Sequence, residues 1–176
     1  GWPLFEGIDA CTPYMNVITR NLDAPNPNYD GVTCTEEFYS FQDLTKQATP
    51  EHLGGHPDPC NPSLQIPTTV PHYFHSRPAV DWKHGNQSRV PGFVGNTSVA
   101  YDLEDPQSPV PGPRFGGYAA MAGPFMSGLN MPAGYQNSTF HGDFPSGWIR
   151  RFMFDENDEL VSVHNFASDL GGITWI

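Results

Sequence analysis

Seven histidines and nineteen acidic side chains are the groups of this 176-residue sequence that could do chemistry. His72 and His75 stand three residues apart, and His52 and His56 four apart. On a helix either pair would share a face and could hold a metal ion. Pro50, Pro57, Pro71 and Pro78 oppose helices at both places, and on a strand residues three apart point to opposite faces. The histidines therefore read as loop or surface residues, and no metal ligand is assigned. Calcium would favour carboxylate and carbonyl oxygens in Gly-rich loops. Asp102, Asp105, Asp155 and Asp158 are the candidates for it, with turn solvation as the preferred reading.

Asp143 lies between Gly142 and Phe144, at an expected strand end. There it would accept backbone N–H groups and hold a turn; the sharper alternative is a carboxylate facing a funnel. Arg150 and Arg151 are adjacent in an expected strand, so one faces each side. One is expected to pair with an acidic neighbour and the other to be free for a ligand or glycan. Trp2, Trp82, Trp148 and Tyr135 could stack on sugar rings, although such side chains more often build core. No Ser–His–Asp arrangement, phosphate-cradling loop or closely spaced Cys pair stands out. No catalytic residue is assigned.

Composition narrows the classes. The net charge is -11 with only 8 Lys+Arg, and such a surface repels phosphate backbones and anionic lipid. Nucleic acid and membrane are therefore not expected partners, and no apolar run of membrane-spanning length occurs. Asn86-Gln87-Ser88, Asn96-Thr97-Ser98 and Asn137-Ser138-Thr139 match the N-glycosylation acceptor pattern. Low Lys content and abundant Asn, Ser, Thr, Gly and Pro also suit an extracellular surface. Cys11, Cys34 and Cys60 lie in the polar N-terminal third, where two of the three are expected to form a disulfide of unspecified pairing. The chain opens on Gly1-Trp2-Pro3, so a processed chain or a segment of a longer protein is expected.

These groups must be positioned by short strands, because 18 Gly and 19 Pro leave little room for long helices. Residues 11–70 read as a long irregular excursion, with a helical turn near 35–44, pinned by the cysteines. Residues 70–84 suggest an extended segment and a turn, and 85–113 are Gly- and Pro-rich. Residues 115–121 are a candidate strand and 131–135 a turn. Strands are expected over 138–144, 147–154 and 160–166, with a polar hairpin loop at Asp155-Glu156-Asn157-Asp158. A further strand is expected after Gly171-Gly172. Tight turns between these strands imply an antiparallel meander over 115–176, of the kind that forms a propeller blade.

Three segments carry a resemblance. They are Gly1-Trp2-Pro3-Leu4-Phe5-Glu6-Gly7; Gly116-Gly117-Tyr118 with Met131-Pro132-Ala133-Gly134-Tyr135-Gln136-Asn137 and Phe140-His141-Gly142-Asp143-Phe144; and Gly147-Trp148-Ile149-Arg150. In this order they resemble the glucose/sorbosone dehydrogenase-like family of six-bladed β-propellers, and hedgehog-interacting-protein-like proteins are similar. The resemblance covers roughly 1–10 and 115–176, and residues 72–84 are similar to a further segment of the family. Gly123-Pro124-Phe125-Met126 departs from the family's Tyr-x-Gly at that place, and the 11–70 insertion is long.

The resemblance implies an all-β fold of antiparallel meanders forming part of a β-propeller, with long irregular Pro/Gly-rich loops. It implies pyrroloquinoline quinone and calcium for a catalytic parent that oxidises sugars. The family's catalytic base and most cofactor contacts belong to earlier blades, so no catalytic or cofactor-binding residue is carried over to this chain. Two functions are expected. One is a secreted, non-catalytic glycoprotein segment that is structural or binds carbohydrate or protein, and assembles with other copies or segments. The alternative is part of a quinone-dependent sugar oxidoreductase.

Overall fold

The computed structural model describes residues 2–49, 55–128, 132–174 and 176. It is all-β, with 40% strand against 7% helix, the outcome expected where Gly and Pro interrupt every helical run. The chain divides into two compact units, one of Gly1–Arg77 with Phe93–Ser98, the other of Pro78–Gly92 with Val99–Ile176.

The first unit starts with a minimal hairpin, β1 (Phe5–Glu6) and β2 (Asp9–Ala10), turned by Gly7 at φ 61°. A single helical turn follows, α1 (Thr12–Met15), with Pro13 in its first turn. Strands β3 (Arg20–Pro25) and β4 (Phe38–Ser40) pair antiparallel. The helical turn expected near 35–44 is α2 (Phe41–Leu44), which runs directly into β5 (Thr45–Gln47). Its start is local chemistry: the Ser40 hydroxyl accepts the Asp43 N–H while the Asp43 carboxylate accepts the Ser40 N–H.

Strand β6 (Tyr73–His75) pairs with β5 in parallel. This departs from the antiparallel expectation, because the long connection between them lets the chain return in the same direction. Ala24, Tyr39, Leu44, Ile66 and Val70 form the core of this unit. Cys34 and Cys60 are joined by a disulfide, which resolves the pairing and leaves Cys11 free. Beside it, fully buried Asp58 accepts hydrogen bonds from the Tyr39 hydroxyl at 2.8 Å and the Asn28 amide at 2.9 Å. It also accepts the Cys60 N–H at 2.8 Å. The 11–70 stretch is thus organised by a disulfide and a satisfied polar network as much as by its small apolar core.

The second unit holds β7 (Asp81–Lys83), most of β8 (Gln87–Val94) and most of β9 (Thr97–Asp102), in one three-stranded sheet. The β8–β9 hairpin was not anticipated within the Gly- and Pro-rich 85–113 stretch. It closes on Gly95, at φ 59°, and Gly92 is needed because a Cβ there would meet the Tyr101 ring at 2.5 Å. Asp81 and Arg89, cross-strand partners, form a two-pronged ion pair at 3.0 and 2.7 Å.

The C-terminal sheet runs β10 (Ala120–Met126), β11 (Ser138–Asp143), β12 (Trp148–Phe154) and β13 (Leu160–Ala167), in spatial order identical to chain order and antiparallel throughout. A 3-10 turn, Ala133–Tyr135, precedes β11. The alternation of β12 sends Trp148, Arg150, Phe152 and Phe154 to one face and Ile149, Arg151 and Met153 to the other. The first face meets Val90, Leu103, Val110, Phe115, Leu160 and Val163 in the core.

The strand expected over 115–121 begins only at Ala120, because the Tyr118 and Ala119 N–H groups bond to a carboxylate instead of a ladder partner. The strand expected after Gly171-Gly172 is also absent among the described residues. Ile173 and Ile176 instead lie over Gly142, where a Cβ would come within 2.8 Å of the Ile176 side chain, and Ile176 also lies over Gly123, where a Cβ would be 3.1 Å from it.

Candidate functional site

Asp143 is fully buried and both its oxygens are occupied. Oδ2 accepts the N–H groups of Tyr118 and Ala119, each at 2.7 Å, and Oδ1 accepts that of Ser146 at 3.0 Å. Burial opposes ionisation, but the hydrogen bonds from Ser146, Ala119 and Tyr118 outweigh it and hold the carboxyl below the usual carboxylate range. Gly117 permits the approach, since a Cβ there would lie 2.2 Å from Oδ2. The funnel-facing alternative for Asp143 has no support in this geometry: the group is a clamp between a loop and a strand end.

Of the other acidic candidates, three lie in turns and Asp102 ends β9. Asp105 and Asp155 accept the N–H two positions ahead, and Asp158 has a φ of 61°. Asp102 contacts Gln87 and Arg114. Among the histidines, the His56 and His72 rings lie 4.4 Å apart, and each bonds a backbone carbonyl, of Tyr73 and Val70 respectively. His75 bonds the Gly7 carbonyl and stacks on Phe5 at 4.5 Å. His52 lies outside the described residues. Among the described residues, no three His, Cys, Asp or Glu side chains converge as a metal site.

The four candidate sugar-stacking rings separate cleanly. Trp148 is core, its indole N–H donating to the Gly116 carbonyl at 2.8 Å, and Trp82 packs against Phe115 and Trp148. Trp2, 80% exposed, instead lines a cleft in the first unit with Phe41, Thr45, Tyr73, Phe74 and His75. Tyr73 is 64% exposed, so two large aromatic side chains are open to solvent here. Among the described residues, no Asp, Glu, Lys or Arg lines this cleft. Phe41, Tyr73 and Phe74 are not marked as ligand-binding by sequence; the aromatic run Tyr73-Phe74-His75 is the available signal, but only folding brings it beside Trp2.

Tyr135 lines a second cleft, in the second unit, with Arg151, His164, Asn165 and Phe166. Arg151 and His164 are direct cross-strand partners, so their side chains leave the sheet on the same face. The Arg151 guanidinium lies over the Tyr135 ring, 5.1 Å from its centroid, and donates to the Gly134 carbonyl. Arg150, on the core face, instead packs over Trp148 and Phe115, and burial lowers its pKa. Neither arginine pairs with a carboxylate among the described residues, which corrects the expected acidic partner. Aromatic faces take its place.

Asn86, Asn96 and Asn137 are all exposed. Asn86 and Asn96 sit in the turns before and after β8, and Asn137 precedes β11 with a φ of 52°. No helix is long and apolar enough to cross a membrane among the described residues. Comparisons with family models, curated proteins and solved structures give no match to this chain.

Proposed function

We propose that the chain is a non-catalytic part of an extracellular glycoprotein, built on a propeller-blade type of scaffold, that binds neutral carbohydrate. The observation that carries this reading is the Trp2 cleft, where Trp2 and Tyr73 are large exposed aromatic side chains and, among the described residues, no Asp, Glu, Lys or Arg is in the lining. The apolar C–H face of a pyranose ring suits such a surface, and a lining without Asp, Glu, Lys or Arg among the described residues favours a neutral ligand.

Other features support the remaining parts of the reading. A four-stranded antiparallel sheet in chain order has the topology of a blade. A disulfide and three exposed acceptor asparagines suit an oxidising, glycan-adding compartment. The partners proposed are N-linked glycans and other copies or segments of the same protein. The acidic surface disfavours nucleic acid.

Calorimetric titration with neutral oligosaccharides tests the binding. Trp2→Ala and Tyr73→Ala should each weaken it about tenfold, the loss expected for one stacking ring. Equal affinity of Trp2→Ala and the parent protein would overturn the assignment.

A further inference from the structure

The Tyr135–Arg151 cleft differs from the Trp2 cleft in charge. We infer that it is a second carbohydrate site, for an acidic sugar whose carboxylate meets Arg151 and whose ring lies on Phe166.

Arg151 is one of only 8 Lys+Arg against 19 Asp+Glu. Like Arg150 it has no carboxylate partner among the described residues, but unlike Arg150, which packs on the core face, it lines a cleft. It is held in place by Tyr135 beneath it and by the Gly134 carbonyl. Its two Nη atoms carry the N–H groups that a ligand in the cleft would meet: Nη1 has a second hydrogen beside its bond to Gly134, and Nη2 rests against the Met153 sulfur, while Nε is buried with no partner among the described residues. Guanidinium has five N–H donors in a planar fork, and unsatisfied charged donors are costly. An oxyanion is the ligand chemistry that such a group selects, and a carboxylate matches the fork.

The walls define the rest of the ligand. Phe166 is 50% exposed and stands edge-on to Phe140 at 4.8 Å and to Tyr135 at 6.1 Å. These contacts fix its ring while leaving area for a pyranose face. His164, beside Arg151 across the strand pair, bonds Ser162 at 2.9 Å and adds an imidazole to the lining. The cavity, ≈ 320 Å³, lies at the small end of ligand sites, which begin at about 300 Å³. A small inorganic anion would use Arg151 alone; the aromatic wall argues for a ring that bears the charge.

The test is calorimetric titration of the whole chain with digalacturonic acid, its neutral counterpart galactobiose, sodium sulfate and a Glu-Glu dipeptide. Digalacturonate should bind at least about tenfold more tightly than sulfate or the dipeptide, and Arg151→Gln should weaken it about tenfold, the loss of one charge-assisted contact. Phe166→Ala should weaken digalacturonate and leave sulfate unchanged. Arg151→Lys, which keeps the charge but not the fork, should fall between, and it guards against a folding defect in Arg151→Gln. Trp2→Ala should leave digalacturonate binding intact, which separates this site from the neutral-sugar cleft. The inference is overturned if Arg151→Lys and Arg151→Gln, both folded by circular dichroism, bind digalacturonate like the parent protein. It is equally overturned if sulfate or the dipeptide binds as tightly, or if galactobiose matches digalacturonate in an Arg151-independent way.

Discussion

Asp143 Oδ2 accepts the backbone N–H of Tyr118 at 2.7 Å, tying a strand end to a loop residue 25 positions earlier. The same oxygen takes the Ala119 N–H, and Gly117 supplies the space. Gly116 is equally constrained, since a Cβ there would lie 2.0 Å from the Gly85 carbonyl oxygen. Two sequence segments that look like separate punctuation, Gly116-Gly117-Tyr118 and Gly142-Asp143, are therefore one device.

Breaking that device should be costly in either half. Asp143→Ala leaves three N–H groups without their acceptor and is expected to cost about 3 kcal/mol. Gly117→Ala keeps the carboxylate but drives a methyl into it, and should destabilise by a comparable amount. Urea denaturation followed by tryptophan fluorescence reads both, because Trp148 shares the same core. A Gly117→Ala variant with an unchanged midpoint would show that Asp143 is not held as described.

Acid should weaken the first unit in two stages. Burial disfavours the imidazolium of His56, with the positive charges of His72 and Lys46 adding to the effect, while the bond to the Tyr73 carbonyl only partly offsets it. Its folded pKa therefore lies below the unfolded value of about 6.5. Unfolding takes up a proton in that window, so stability present above about pH 6.5 declines as pH falls through the folded pKa. Asp58 behaves the same way lower down. Burial opposes its ionisation, but hydrogen bonds from Tyr39, Asn28, Cys60 and Asn61 depress its pKa. Its contribution begins to fail below about pH 3.9. Thermal melts from pH 7.5 to 5 should show a decline that is shallower in His56→Gln; parallel slopes would refute the first stage.

Reduction of the Cys34–Cys60 disulfide should destabilise the first unit by about 3–4 kcal/mol through the freedom restored to the unfolded loop. Thiol titration of the denatured, unreduced chain should find one thiol per molecule, from Cys11. Finding three, or a melting temperature insensitive to reductant, would contradict the pairing.

Expression in a secretory host should add glycans at Asn86, Asn96 and Asn137, seen as mass lost on enzymatic deglycosylation. Asn137→Gly is the suitable knock-out at the third position, because glycine accepts the left-handed φ of 52° without strain. It should remove one glycan with little change in melting temperature, whereas Asn137→Val should also destabilise by about 1 kcal/mol. Complete absence of glycans at all three sites would remove the main support for an extracellular glycoprotein.

Much of the C-terminal sheet was legible by sequence alone. The strands at 138–143, 148–154 and 160–167 and the hairpin loop between the last two fall where alternation and turn residues placed them. That information is local, since a period of two and a polar turn are properties of adjacent residues. The β8–β9 hairpin was hidden because Pro91 and Gly92 read as breaks, while Gly92 serves the packing of Tyr101 from a neighbouring strand. The site residues divide along the same line. Tryptophan chemistry marked Trp2 and Trp148 equally, and only folding buried one and exposed the other at 80%. Arg150 and Arg151 were assigned to opposite faces by alternation, yet which face is core depends on Phe115 and Val163, distant in sequence. The choice of Cys60 for Cys34, the meeting of Asp143 with Tyr118, and the register that sets His164 beside Arg151 all belong to tertiary structure. Each is a contact between residues far apart in the chain, and its energy depends on the cooperative packing of everything between them.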